Sequence, residues 1–144
     1  MSEFYISCFL FEEGGQIPKE LGYKHGNMEP SIQHHNQPEN YKCQVRIMDD
    51  PDAMEAVGKV WVHDLGYGNQ GPPLQEAVLG KNDFGEIGWG GPAPPDKPHT
   101  YVFKAYALEV DLGDLKEGYS KQELEDAMKG HIIAEAKLTG TYAP

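Results

Sequence analysis

The sequence has few of the features that favour export, a membrane or a nucleic-acid partner. Only Cys8 and Cys43 are present, without CxxC spacing, so we predict two free, buried thiols rather than disulfides or a zinc motif. No apolar run approaches the roughly 18 residues that a membrane span needs. Twelve Lys and Arg residues against 23 Asp and Glu residues give a formal charge of −11, which repels nucleic acid and anionic membranes.

The N-terminal stretch 4–11 is apolar but is flanked by acidic residues, Glu3 before it and Glu12 and Glu13 after it. A secretory signal would carry Lys or Arg before its apolar part. We therefore expect a strand here and a cytoplasmic protein. The length of 144 residues fits one domain spanning 1–144, with a core large enough to need neither disulfide nor metal.

Turn-forming residues are abundant: 17 Gly and 11 Pro divide the chain into short segments, which favours an all-β sandwich. Residues 43–47 alternate apolar and polar side chains, as a strand with one wet face does. Residues 59–65 and 100–108 are apolar on both faces, which is typical of central sandwich strands. The Pro- and Gly-rich stretches 66–73 and 85–98 are predicted to be loops, and loops this long often carry function.

One helix has clear boundary signals. Ser120 and Glu123 form a capping box, in which each side chain satisfies the other's backbone N–H. The apolar residues of the following turns fall on one helical face, and Gly130 can end the helix in a left-handed conformation. Alternation over 131–142 then predicts the last strand.

Four polar or glycine-rich pieces follow one another along the predicted strands. These are Asp50-Pro51-Asp52 at a strand end, His63 in the next strand, the loop Gly88–Pro95, and His99-Thr100-Tyr101. In this order they resemble the phosphatidylethanolamine-binding protein family, also called the Raf kinase inhibitor protein family, in its bacterial and archaeal branch. The resemblance extends from about Ile17 to the C-terminus.

The resemblance implies a mostly β fold, an antiparallel two-sheet sandwich with one or two short helices, one of them near residues 121–129. It also implies a small pocket that accepts phosphate-like groups. The residues that match positions lining or supporting that pocket are Asp50, Asp52, His63, Gly91, Pro94, His99, Tyr101 and Tyr142.

The residue types in this set suit an oxyanion, because imidazole N–H, tyrosine O–H and backbone N–H groups of a glycine turn are all donors. The carboxylates of Asp50 and Asp52 would repel an anion. We therefore expect them to accept hydrogen bonds from the imidazoles, which favours imidazolium.

Three positions depart from the usual pattern of this family. His34 stands where a Trp is typical, Met54 where a proline is typical, and Asp64 where an aromatic residue follows the pocket histidine. Strand alternation predicts that Asp64 faces away from the His63 side of the sheet.

The function expected from these observations is binding of a small anion, either phosphate or a phosphorylated head group, in a regulatory or inhibitory module rather than an enzyme. The resemblance is compatible with a kinase or protease partner and with a homodimer, and no cofactor, nucleic acid or stable membrane insertion is expected. One alternative is a hydrolase or transferase with His63 or His99 as a general base. Another is a metal site of two histidines and one carboxylate, although no short metal-binding spacing supports it, so we expect none.

Overall fold

The computed structural model describes residues 3–69 and 77–144. Within these ranges the mostly β fold with two short helices that the sequence predicts is confirmed. In chain order the elements are β1 Tyr5–Cys8, β2 Gly15–Gln16, β3 Ile32–His35, β4 Cys43–Asp50, α1 Ala53–Val57, β5 Trp61–Asn69, β6 Val78–Leu79, β7 His99–Leu108, α2 Lys121–Met128 and β8 Ile132–Tyr142.

The described strands form two sheets. The small sheet pairs β1 with β3, and the large sheet has the order β2-β8-β7-β4-β5-β6. Neighbouring strands are antiparallel, except that β2 and β8 pair in parallel over two residues. The predicted two-sheet sandwich is therefore confirmed, with one short parallel pair at the edge of the large sheet.

The large sheet has a separate apolar cluster on each face, because side chains alternate along its central strand β4. Val45 and Ile47 belong to the cluster under α2, which includes Leu124. Met48 belongs to the opposite cluster with Tyr101, which the small sheet covers. Both clusters anchor β7 and β4, so the polar residues at the ends of these strands are rigidly placed.

A β-bulge decides which way two polar side chains of β5 point. The pairing of β4 with β5 shifts register at Asp49 and leaves His63 as an extra residue on β5. Val62 and Leu65 both belong to the cluster under α2, so His63 and Asp64 between them both face the other side. The expectation that Asp64 faces away from the His63 side is wrong, because alternation holds only where paired strands keep their register.

Helix α2 forms where its signals predicted it. The Ser120 hydroxyl accepts from the Glu123 N–H at 3.1 Å, and the Glu123 carboxylate accepts from the Ser120 N–H at 3.0 Å. The helix ends where the Lys129 backbone becomes extended, with ψ 124°, and Gly130, with φ +83°, adopts the predicted left-handed conformation in the turn that follows directly. The predicted capping box and helix stop are confirmed, since both depend on local sequence.

Strand β5 is longer than the sequence predicts. It continues through Gly66 to Asn69, where it pairs with β4 and, at Gly66 and Tyr67, with β6. The interpretation of 66–73 as a loop is thus wrong for 66–69, because glycines in a strand interior carry no strand signal, and 70–73 lie outside the described residues. The predicted loop 85–98 is confirmed as the connection that leads into β7.

Cys8 and Cys43 are both free and buried, as predicted. Among the described residues, no helix is both long and apolar enough to span a membrane.

Candidate functional site

The end of β4, strands β5 and β7, and helix α1 surround a cavity of about 280 Å³, which we call the His63 cavity. Four of the predicted site residues line it: Asp50, His63, His99 and Tyr101. They come from three neighbouring strands of the large sheet, whose pairing brings together residues up to 51 positions apart in sequence.

His99 lies between two carboxylates. Its Nδ1 is 2.6 Å from Asp50 Oδ2 and its Nε2 is 2.7 Å from Asp96 Oδ1. Burial of the ring favours the neutral form, but the hydrogen bonds to Asp50 and Asp96 outweigh it and raise the pKa of His99 above its usual 6.5. His99 is therefore an imidazolium that donates both N–H groups to the protein, and it has no free N–H for a ligand.

His63 has the opposite character. Its Nδ1 lies 2.7 Å from the Gly90 carbonyl oxygen, to which it donates, and only 2% of the residue is exposed. Burial lowers the pKa of His63, although the Asp50 charge and the Gly90 hydrogen bond act in the other direction. A neutral ring that donates from Nδ1 carries its lone pair on Nε2, so this nitrogen is an acceptor rather than the predicted donor.

Three buried polar atoms of the cavity lining have no hydrogen-bond partner in the described part of the chain. They are the Tyr101 hydroxyl, Asp50 Oδ1 and Trp61 Nε1. Burial, the nearby Asp50 charge and a weak interaction of the hydroxyl with the Asp50 carboxylate together raise the pKa of Tyr101, against an opposing interaction with the Ala93 N–H. Neither interaction has the geometry of a hydrogen bond, so the hydroxyl stays protonated and can donate. Buried polar groups are almost always paired in folded proteins. This concentration of unpaired groups marks the cavity as a place where a polar ligand is favoured.

The structure does not bring the other four predicted residues into the cavity. Asp52 is exposed and accepts from the Thr100 N–H at 2.8 Å, so the expectation that it binds an imidazole is wrong. Pro94 is buried but does not line the cavity. Tyr142 donates to the Lys19 carbonyl oxygen at 2.9 Å, on the far side of β7 from His63.

The glycine turn supplies no free donor at the positions that sequence reasoning favoured. The Gly91 N–H donates to Asn27 Oδ1 at 2.7 Å, and the Gly90 N–H donates to the His63 carbonyl oxygen at 2.8 Å. A Cβ at Gly91 would collide with the Leu21 carbonyl oxygen. The glycines are thus required for close backbone approach, and the expectation that this turn binds an oxyanion is wrong for these two N–H groups.

Several residues of the site were not predicted from the sequence. Trp61, which lines the cavity, lies two positions before His63. Asp96, which binds His99 but does not line the cavity, lies three positions before His99, so both were within reach of spacing arguments. Tyr23 stacks on Phe84 with ring centroids 3.8 Å apart and forms a wall of the cavity. Lys24 brings the only ammonium group among the described lining residues, and nothing in the sequence around it indicates this role.

Two of the three departures from the family pattern share a second cavity. His34 and Asp64 both line a cavity of about 350 Å³ between the two sheets, which we call the Asp64 cavity. Burial raises the pKa of Asp64 from 3.8 to about 6, against the opposing charge of Arg46. Met54, the third departure, is 54% exposed on α1.

Comparison with known proteins identifies relatives over nearly the whole chain. The family model described as phosphatidylethanolamine-binding protein matches residues 9–143. A UPF0098 protein of Chlamydia trachomatis is 40% identical over an alignment of 147 positions, gaps included, that covers 95% of this chain and 97% of that protein. A UPF0098 protein of Methanothermobacter thermautotrophicus is 37% identical over an alignment of 152 positions that covers 95% of this chain and 97% of that protein.

Two solved structures have the same fold. One is a phosphatidylethanolamine-binding protein homologue from Chlamydia trachomatis, with a TM-score of 0.87 and 36% identity over 99% of this chain and 98% of that one. The other is E. coli YbcL, described as a new member of the mammalian family, with a TM-score of 0.84 and 29% identity over 98% of each chain.

Proposed function

Because the chain belongs to the phosphatidylethanolamine-binding protein family, we propose that it is a binding protein whose His63 cavity takes a small phosphorylated group in its singly protonated form. The proposal rests on one observation: the same cavity holds a hydrogen-bond donor and a hydrogen-bond acceptor that both lack a partner in the ranges that the structure describes. The donor is the Tyr101 hydroxyl and the acceptor is Asp50 Oδ1, both buried among the described residues.

The donors of the cavity suit phosphate oxygens. The Tyr101 O–H and the Trp61 N–H are unpartnered within the described chain, and the exposed Lys24 adds a positive charge. A net charge of −11 opposes anion binding at long range, so these local donors must supply the affinity.

The buried acceptor restricts the protonation state of the ligand. Asp50 Oδ1 is buried and without a partner among the described residues, so it requires a hydrogen-bond donor, and a fully ionised phosphomonoester has none. The monoanion of a phosphomonoester keeps one P–OH group, which can donate to Asp50 while the other oxygens accept. Sulfate has no proton to donate near neutral pH, so the cavity should discriminate against it.

The same geometry favours a binder over an enzyme. The histidine oriented by a carboxylate is His99, and both of its ring nitrogens are already bonded to Asp50 and Asp96, so it cannot act as a general base. The raised pKa of Tyr101 makes its hydroxyl a poor nucleophile. These contacts argue against His99 as the general base of a hydrolase or transferase, and His63 has no carboxylate partner within the described ranges that would orient it for that role.

Calorimetric titration with methyl phosphate, phosphoethanolamine and sulfate tests the proposal across about pH 5 to 8. A phosphomonoester loses its second proton near pH 6, so its affinity should fall above that pH, whereas sulfate should bind weakly throughout. Wild-type protein that binds sulfate as tightly as methyl phosphate would contradict the proposal. The comparison with phosphoethanolamine separates binding of the phosphate alone from binding of a larger head group.

Two variants test whether methyl phosphate binds in the His63 cavity. Tyr101→Phe removes only the hydroxyl and should weaken methyl phosphate binding roughly tenfold, whereas Tyr106→Phe, on a strand position outside the cavity, should have no effect. Asp50→Asn should reduce the preference for methyl phosphate over sulfate, because the amide can donate as well as accept. An unchanged preference in that variant would exclude Asp50 as the acceptor.

A further inference from the structure

The Asp64 cavity lies between the two sheets, on the same side of the large sheet as the His63 cavity, but its lining shares no residue with it. Ile6 and Ile32 of the small sheet form one wall, and Met48 and Phe103 of the large sheet form the opposite wall. Its volume of about 350 Å³ is about twice that of a protein cavity that accommodates benzene.

The lining of this cavity includes polar side chains whose hydrogen-bonding capacity is incompletely satisfied. Asp64, with a side chain only 8% exposed, places Oδ2 2.8 Å from Arg46 Nε. Its Oδ1 has no hydrogen-bond partner in the described ranges, and the same holds for Trp89 Nε1 and His34 Nδ1. The lining therefore holds an acceptor, Asp64 Oδ1, and a donor, the Trp89 indole N–H, that both lack a partner in this part of the chain.

The charges of the cavity disfavour an ionic occupant. Arg46 and Lys104 are balanced by Asp64 and Glu29, all of which line it. An anion would approach two carboxylates, and a cation would approach the guanidinium and the ammonium group. An uncharged group avoids both penalties.

We infer that the Asp64 cavity is a second binding site, for an uncharged molecule with a compact apolar body of about two rings and a hydroxyl group. A hydroxyl group can both donate and accept, so it can donate to the buried carboxylate or accept from a buried N–H without carrying charge. The apolar body covers the isoleucine, methionine and phenylalanine side chains, from which water is released at a gain in free energy. This site is independent of the phosphate site proposed for the His63 cavity.

The two tryptophans of the chain report on the two cavities separately, because Trp61 lines the His63 cavity and Trp89 lines the Asp64 cavity. Each indole N–H gives one resolved ¹⁵N–¹H signal, assigned from Trp61→Phe and Trp89→Phe. Probes with a common ring system are 2-naphthol, naphthalene, 2-naphthoate and 2-naphthylmethylammonium. We expect 2-naphthol to shift the Trp89 signal and leave the Trp61 signal in place, with an affinity roughly tenfold or more above that of the other three probes.

Substitution of Asp64 tests the hydrogen bond. Asp64→Leu should bring the affinities for 2-naphthol and naphthalene to within roughly twofold of each other, because the acceptor is lost and the apolar wall is kept. Asp64→Asn, which retains an oxygen at the same position, should keep part of the preference and serves if the leucine variant does not fold. Asp114→Leu, at an exposed position outside both cavities, is the matched control and should bind as wild type does.

The inference is overturned if 2-naphthol leaves the Trp89 signal unshifted, if naphthalene or a charged probe binds as tightly, or if the preference survives in Asp64→Leu. Methyl phosphate, added to the same sample, should shift Trp61 and not Trp89. Failure of the phosphate proposal would therefore be seen at Trp61, and failure of this inference at Trp89.

Discussion

Replacing Tyr101 with phenylalanine should leave the fold equally stable or stabilise it by up to about 1 kcal/mol. Tyr101 is fully buried, at 0% exposure, and its hydroxyl has no hydrogen-bond partner in the described residues. A buried polar group without a partner costs about 1–3 kcal/mol. We take the low end of that range, because the Asp50 carboxylate lies close enough to raise the pKa of Tyr101 and so offsets part of the cost.

Tyr119 provides the matched control. It is also buried, at 3% exposure, but its hydroxyl donates to the Val78 carbonyl oxygen at 2.7 Å. Tyr119→Phe removes this hydrogen bond and leaves the carbonyl oxygen unpaired, so it should cost about 1 kcal/mol. The two substitutions delete the same atom, and the free energies of unfolding of the two variants should differ by about 1 to 2 kcal/mol, with Tyr119→Phe the less stable.

Guanidinium denaturation in a buffer free of phosphate and sulfate measures both changes. Adding methyl phosphate should then stabilise the wild-type protein and Tyr119→Phe, and stabilise Tyr101→Phe much less, because ligand binding to the native state shifts unfolding by mass action. A loss of stability in Tyr101→Phe as large as that in Tyr119→Phe would show that the Tyr101 hydroxyl is satisfied within the protein, and the argument for a ligand there would fail.

Three further predictions test the electrostatics and the capping. The pKa of Asp64 is raised from 3.8 to about 6, so the wild-type free energy of unfolding should fall relative to that of Asp64→Asn by about 3 kcal/mol as the pH rises from about 3 to 7; a difference independent of pH would refute the shift. Asp96→Asn should lower the pKa of His99, measured by NMR titration, because one of its two carboxylate partners is lost; an unchanged pKa would show that Asp50 alone maintains it. Ser120→Ala should cost about 1 kcal/mol in denaturation experiments through loss of the helix cap; a cost near zero would mean that packing alone holds α2.

The features predictable from the sequence are those that depend on neighbouring residues. The capping box at Ser120 and the left-handed Gly130 depend only on residues within four positions of the two ends of helix α2. Alternation along β4 identifies the buried face because a strand with regular pairing has a fixed period of two. The resemblance to a known family then brings Asp50, His63 and His99 to one place, which local patterns alone do not do.

The features that sequence reasoning missed depend on residues far apart in the chain. The β-bulge at His63 arises from the pairing of β5 with β4, and no residue in β5 signals it. The Gly91 N–H is taken by Asn27, 64 positions earlier in the sequence. Whether a donor faces a ligand or another part of the protein is decided by such contacts. Of the eight predicted residues, Asp50, His63, His99 and Tyr101 line the cavity, whereas the roles expected of Gly91 and Asp52 were wrong.

The glycine-rich turn and the β-bulge together explain why two cavities lie side by side. The Gly90 carbonyl oxygen holds His63 by its Nδ1–H, while the preceding residue, Trp89, lines the Asp64 cavity. The bulge in turn directs His63 into one cavity and Asp64 into the other. A Cβ at Gly90 would lie 2.5 Å from the Phe84 ring, so a side chain there would displace the wall of the His63 cavity. The N–H groups of Gly88, Gly90 and Gly91 are used inside the protein, so these three cannot serve an anion, and the side chains of Tyr101, Trp61 and Lys24 supply donors to the cavity instead.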